Sequence, residues 1–155
     1  MAGAATPALA ELAKAGVPHE VLRFENVGDL SASGDVAPDQ VFKTLVVALP
    51  GELAVAIVPV PSRLSLKAVA AALGAAKAGM AEPGAAGRAT GYVVGGISPF
   101  GQRRRLRTVL DSSALNWDRV LCSAGRRGWD VGISPHHLIL VTGAITADIA
   151  RTTRA

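Results

Sequence analysis

"VFKTLVVALPGELAVAIVPV", residues 41–60, holds two apolar runs separated by Pro50-Gly51. Proline presets one turn angle and glycine supplies the other, so the pair folds the second run back on the first as a β-hairpin. Both runs are almost continuously apolar, which predicts strands buried at the centre of a sheet. Lys43 interrupts the first run with a charge. Lysine is almost never fully buried without a partner. Either Lys43 marks an exposed strand start and points to water, or its ammonium lines a cleft and holds a phosphate or a polarised carbonyl oxygen.

Helical signals flank the hairpin. Thr6 and Pro7 precede "ALAELAKAG", with Thr6 as N-cap and Gly16 as stop. Ser65 caps "LKAVAAALG", which ends at Gly74 with Leu66, Val69, Ala70 and Leu73 on one face. "AEPGAAGRATG", 81–91, reads as a short glycine-weakened helix or a loop. Ser134-Pro135 opens a helix over "HHLILVTG" that closes at Gly143. Strand-like pieces fill the remainder: "HEVLRFE" as an edge strand, residues 92–94, "TVLDSSAL", "DRVLCSAG", "WDVGIS" and a last strand "ADIA". "NVGDLSASGDVAPD", 26–39, has no period and reads as a loop. Short strands with peripheral helices, not in strict alternation, predict an α+β fold with a mixed, strongly curved, barrel-like sheet.

At 155 residues the chain has the length of one ordinary domain, 1–155. Half of its residues are apolar but only 4% are aromatic, so the core is built from Ala, Val, Leu and Ile. The net charge of +4 with clustered arginines raises the prior for an anionic partner such as nucleic acid. One cysteine excludes an internal disulfide framework and fits a reducing compartment, and three histidines without cysteine partners argue against a zinc site. No apolar run reaches a membrane-spanning length and no signal peptide is evident, so a cytoplasmic protein is expected.

"GYVVGGISPFGQRRRLRT", 91–108, carries the densest pattern. Gly95-Gly96 either marks a bulge or lets a ligand reach exposed backbone N–H groups. Ser98-Pro99-Phe100-Gly101 reads as a tight turn. Arg103, Arg104, Arg105 and Arg107 form a solvated face or a contact for a phosphodiester backbone. "SAGRRGWD", 123–130, repeats the glycine-basic combination. There Ser123, Gly125 and Asp130 either line a polar pocket or form a turn whose donors Asp130 satisfies. Cys122, among apolar residues, reads as a core hydrophobe rather than a nucleophile. His136 and His137 are adjacent and cannot make an i, i+4 metal pair. With no Ser/His/Asp arrangement and no carboxylate pair, an enzyme built this way works by positioning and oxyanion stabilisation on an activated ester.

The strings "VFKTLVV", "LKAVAAALG", "AEPGAAGRATGYVVGGISPFGQRRRLRTVLDSSAL" and "SAGRRGWDVGISPHHLILVTGAITADIA" occur in that order. They resemble the successive motifs of the YbaK/EbsC family of aminoacyl-tRNA deacylases, which is related to the editing domain of bacterial prolyl-tRNA synthetases. The resemblance runs from about Gln40 to Ala150. It implies that family's editing-domain fold and the removal of a wrongly attached amino acid from tRNA, with Cys-tRNA(Pro) the best-known substrate of the YbaK branch. It also implies that Lys43 is essential with Thr44 beside it, and that Gly95 and Gly96 approach the substrate carbonyl, followed by Ile97 and Ser98. Ser123 and Asp130 carry over as substrate-binding residues. A substrate hydroxyl or thiol, or water, attacks the ester, and no cofactor or metal is called for. Expected partners are aminoacylated tRNA, attracted by Arg103, Arg104, Arg105 and Arg126, and prolyl-tRNA synthetase.

The chain departs from the family in two places. Residues 26–39 are loop-like where the family carries a helical segment that shapes the amino-acid pocket, and Arg107 stands where proline is common. Besides a trans-acting deacylase, a tRNA- or acidic-partner-binding module without turnover fits the composition. A small-molecule esterase insensitive to the tRNA body is a third reading. Lys43 and both glycines weigh against a pure binder, which needs neither.

Overall fold

The computed structural model describes residues 6–24 and 36–151. The hairpin forms as the sequence predicts. Strand β2 (Phe42–Leu49) pairs antiparallel with β3 (Glu52–Pro59), from Phe42 opposite Pro59 to Leu49 opposite Glu52. Only Pro50 and Gly51 remain for the turn, and Gly51 takes the left-handed conformation that glycine adopts freely (φ 78°). Val55 and Ile57 of β3 pack into one apolar cluster, while Ala54, Ala56 and Val58 pack into another on the opposite face. Burial on both faces is why the run is continuously apolar rather than alternating.

Around this hairpin runs a five-stranded mixed sheet. Two-residue β5 (Gly79–Met80) flanks β2, and β6 (Arg107–Asp111) lies parallel to β3. Strand β9 (Ile145–Ala147) then lies parallel to β6. Helix α1 (Pro7–Ala15) begins at Thr6, whose hydroxyl accepts from Leu9 N, and ends at left-handed Gly16. Helix α2 (Leu66–Leu73), capped by Ser65 and closed by Gly74, buries Val69, Ala70 and Leu73. Residues 81–91 resolve into helix α3 (Pro83–Thr90), and Ser134 caps α4 (Pro135–Thr142).

The barrel-like sheet does not form. Strands β1 (Glu20–Arg23), β8 (Trp129–Ile133) and β7 (Val120–Arg126) make a separate three-stranded antiparallel sheet, with β1 at its edge. Among the described residues one parallel bridge, Val41 to Leu121, links it to the larger sheet. Strands β4 (Arg63–Leu64) and β10 (Ala150–Arg151) form a third sheet of two strands. Closure needs a continuous, consistently staggered ladder. Here the larger sheet ends in the very short strands β5 and β9, which pair with nothing further among the described residues. The result is a mixed α+β fold with no closed sheet.

Three smaller expectations also change. Residues 92–94 are not a strand. Tyr92 instead plugs the core and donates its hydroxyl to Phe100 O at 2.6 Å, while Val93 and Val94 stand 72% and 53% exposed. "TVLDSSAL" ends as a strand at Asp111, where Ser113 N–H finds the Asp111 carboxylate and a 3-10 turn (Ser112–Asn116) begins. The last strand is split, because Ile149 and Ala150 donate their N–H groups to Asp111 Oδ1 at 2.9 Å each rather than to a ladder. The loop expected at 26–39 falls mostly outside the described residues, and its end forms one 3-10 turn, Pro38–Gln40. No described helix is long and apolar enough to cross a membrane.

Candidate active site

A cavity of about 380 Å³ opens where the start of β2 meets the glycine loop and the β7–β8 hairpin. Lys43, Thr44, Gly95, Ile97, Ser123 and Asp130 all line it, so three distant stretches of sequence converge. Most of the remaining wall is apolar, including Val46 and Ala86.

Each polar group is held by its element. Lys43, third residue of the opening hairpin, donates from Nζ to Val60 O at 3.2 Å. Burial pushes its ammonium below the usual lysine range, as a low-dielectric setting disfavours the charged form. Thr44 is buried, and its Oγ1 has no hydrogen-bond partner among the described residues. Ser123 and Asp130 are cross-strand neighbours in the β7–β8 ladder, just before a bulge between Ser123 and Arg126. Ser123 Oγ accepts from Gly125 N at 3.0 Å. Burial raises the Asp130 carboxyl from 3.8 to about 6. Behind it, the fully buried Cys122 thiol is pushed well up, by burial first and by the Asp130 charge second, and so stays protonated.

The glycine loop supplies donors. Gly96 N closes a tight turn onto Val93 O at 2.9 Å, and Gly95 sits in that turn at φ +94°. Among the described residues no acceptor engages the N–H of Gly95 or Ile97, both of which belong to the cavity wall. Gly96 lies behind the wall. Ser98 is fully buried there too, with its Oγ accepting from Phe100 N at 3.2 Å, and Gln102 Nε2 donates to Ser98 O at 2.9 Å. The loop is thus pinned from its inner side.

The arginines distribute differently from the residues above. Arg104 and Arg105 line a separate depression with Glu11 and Thr142, and Arg103 is tied by its N–H to Thr90 O. Arg107 pairs with Glu52 at 3.1 Å. Arg126 stacks on the Trp129 ring, 4.6 Å from its centroid, as does Arg23 at 4.2 Å. The residue that sequence reasoning missed is Arg127. It is exposed at the tip of the β7–β8 turn, and a Cβ built on Gly95 would lie 3.1 Å from its Nε and Nη2. Its only signal was its place between Gly125 and Gly128, both at positive φ, which aims a turn residue outward.

Chemically, the cavity offers one ammonium, two unengaged backbone donors, a carboxyl and two hydroxyls, but none of the three histidines lines it. It can hold an oxyanion and a cation. Among the described residues it contains no hydroxyl or thiol paired with a general base. Among the described residues no group of three His, Cys, Asp or Glu side chains is arranged to hold a metal ion.

Residues 24–140 match the family described as the aminoacyl-tRNA editing domain. A relative from Enterococcus faecalis, named EbsC as a candidate Cys-tRNA(Pro)/Cys-tRNA(Cys) deacylase, is 33% identical over 111 residues, which is 71% of this chain and 68% of the relative. Among solved structures, a candidate trans-editing enzyme for prolyl-tRNA synthetase superposes with a TM-score of 0.86 at 22% identity, over 97% of this chain and 99% of that one. A protein described only as hypothetical superposes at 0.84 with 24% identity, over 94% and 100% of the two chains. At those identities the two structures establish likeness of fold.

Proposed function

The chain belongs to the aminoacyl-tRNA editing domain family, and we propose that it acts in trans as a deacylase that cleaves a wrongly attached amino acid, cysteine on tRNA(Pro) foremost, from tRNA. The name of the Enterococcus faecalis relative supports the reaction and the cysteinyl substrate, and the likeness to the trans-editing structure supports the fold that such a reaction would use. One observation carries the reading for this chain. A cation, Lys43, and two N–H groups, on Gly95 and Ile97, that are unengaged among the described residues converge on a cavity whose described lining holds no nucleophile–base pair.

The substrate ester supplies what the cavity lacks. Its carbonyl oxygen sits against the Gly95 and Ile97 N–H groups, whose preorganised dipoles stabilise the charge that develops on attack. Lys43 adds a positive field on the ribose side. Ionised Asp130 is the counter-charge for the substrate's α-ammonium, and Thr44 and Ser123 give hydrogen bonds that orient the aminoacyl group. The nucleophile comes with the substrate. The cysteinyl thiol sulfur bonds to the carbonyl carbon as the ester C–O bond breaks, and the thiol proton ends on the released ribose oxygen. Water in the same position yields the free amino acid.

The test is a panel of mischarged tRNAs incubated with purified protein. Cys-tRNA(Pro) should lose its amino acid faster than in buffer, and faster than correctly charged Pro-tRNA(Pro). If no ester on the panel is cleaved above the buffer rate, or if Lys43→Ala cleaves as fast as the parent, the proposal fails.

A further inference from the structure

Arg127 occupies an unusual place for an exposed arginine. Its backbone N is the nearest atom, at 3.5 Å, to a Cβ built on Gly96, and its guanidinium lies over Gly95. Its base is anchored, because Phe24 N donates to Gly128 O at 2.8 Å and Gly128 approaches Phe24 so closely that a Cβ there would stand 2.5 Å from Phe24 O. No carboxylate among the described residues pairs with it, whereas Arg107 and Arg119 are paired with Glu52 and Glu20. A guanidinium thus sits beside Gly95 of the cavity wall, on a turn tied to Phe24, with no carboxylate partner among the described residues.

We infer that Arg127 receives the phosphate that precedes the terminal ribose of the bound tRNA, and so separates aminoacyl-tRNA from free amino-acid esters. The inference rests on the deacylase reading and assigns it a further binding residue. The ribose that carries the ester carries its 5′ phosphate on the opposite side. With the ester carbonyl against Gly95, that phosphate faces outward. A phosphate dianion or diester is expensive to desolvate, so it stays at the rim rather than entering a largely apolar cavity. The fork of an arginine binds such an oxygen pair in fixed geometry. Val94 and Met80, which line the same cavity, are each 53% exposed and offer apolar surface to a nucleoside.

Two substrates test it: cysteinyl-adenosine, which has no phosphate, and the same compound carrying a 5′ phosphate monoester. With Arg127→Ala, kcat/KM for the phosphorylated compound should fall about 10- to 100-fold, the worth of a hydrogen bond to a charged group, mainly through KM. The phosphate-free compound should be cleaved at the parental rate, and Arg127→Lys should recover part of the loss. On full tRNA the variant's log kcat/KM should depend less steeply on log salt, by about 0.7 for one lost contact to a single strand. An equal fall on both compounds would mean that the guanidinium merely props the Gly95 loop, and an unchanged rate on both would mean that it binds nothing; either overturns the inference. A parent that cleaves neither compound nor any mischarged tRNA overturns the deacylase reading itself, and this inference with it.

Discussion

Ser123 and Asp130 stand opposite one another on antiparallel strands, and both line the cavity that Lys43 enters from β2. One hairpin therefore contributes a hydroxyl and a carboxyl to the wall, and from its turn a guanidinium to the lip. Such a device is precise because the ladder fixes the spacing of its side chains, whereas a loop would leave it to chance.

Asp130 should impose a pH dependence of definite sign. Its carboxyl is raised from 3.8 to about 6 by burial, so between those values the folded protein keeps a proton that the unfolded chain has released. Stability from this residue is therefore present at low pH and lost as pH rises through that window, by about 3 kcal/mol at most for a shift of roughly two units. Asp130→Asn should melt with the parent near pH 4 and above it at pH 8. Its activity should move the other way, since only the carboxylate balances an α-ammonium. Parental kcat/KM should rise through about pH 6, and the variant should lack that limb. Superimposable pH–rate profiles would remove Asp130 from substrate binding.

Lys43→Met keeps the length of the side chain and removes the charge. Among the described residues the ammonium hydrogen-bonds to Val60 O alone, and burial already disfavours its charged form, so thermal stability should hold or rise. Deacylation should fall about 100- to 1000-fold, as when one preorganised oxyanion-stabilising group is lost. A melt together with single-turnover rates separates the two effects. A variant that unfolds would make Lys43 structural.

Three glycines in one stretch should respond differently to alanine. Gly101 has φ +64°, and a Cβ there would stand 2.3 Å from Pro7 O on the backbone of α1, so Gly101→Ala should destabilise by about 3 kcal/mol or more. For Gly95→Ala the three atoms nearest the new Cβ all belong to the Arg127 side-chain end, which can shift, so its cost is mainly the left-handed backbone, about 1–2 kcal/mol. Gly96 has no positive φ and its nearest contact is 3.5 Å, so its substitution should be close to neutral. Urea denaturation of the three variants gives the order directly, and Gly96→Ala as the most damaging would refute this account of the loop.

Much of the architecture was readable from local signals. Thr6, Ser65 and Ser134 cap helices, Gly16, Gly74 and Gly143 end them, and Pro50-Gly51 turns the central hairpin, because these depend on a few adjacent residues. Lys43 stood out because a charge in an apolar run needs a reason. What escaped was decided at long range. Whether the strands of β1, β7 and β8 join the main sheet rests, among the described residues, on a single bridge at Val41, which no periodicity encodes. The apolar 92–94 string looks like a strand until Tyr92 is seen to anchor on Phe100. Arg127 resembled its neighbour Arg126 in sequence, and only the turn sends one to Gly95 and the other to Trp129.

Thr44 separates stability from function most cleanly. It is buried opposite Ile57, and its hydroxyl lacks a partner among the described residues. A buried polar group left unpaired costs about 1–3 kcal/mol, so Thr44→Val, the same shape without the hydroxyl, should stabilise by about 1 kcal/mol. In a chain of this length that is roughly 2–4 °C in melting temperature. The same change should lower kcat/KM on the best ester about tenfold, because the hydroxyl is left unpaired by the fold and becomes satisfied when the aminoacyl group enters. A higher melting point with unchanged activity would make the hydroxyl a packing accident. A lower melting point with unchanged activity would mean that it is already bonded in the free protein, and that substrate orientation rests on Ser123 and Asp130 alone.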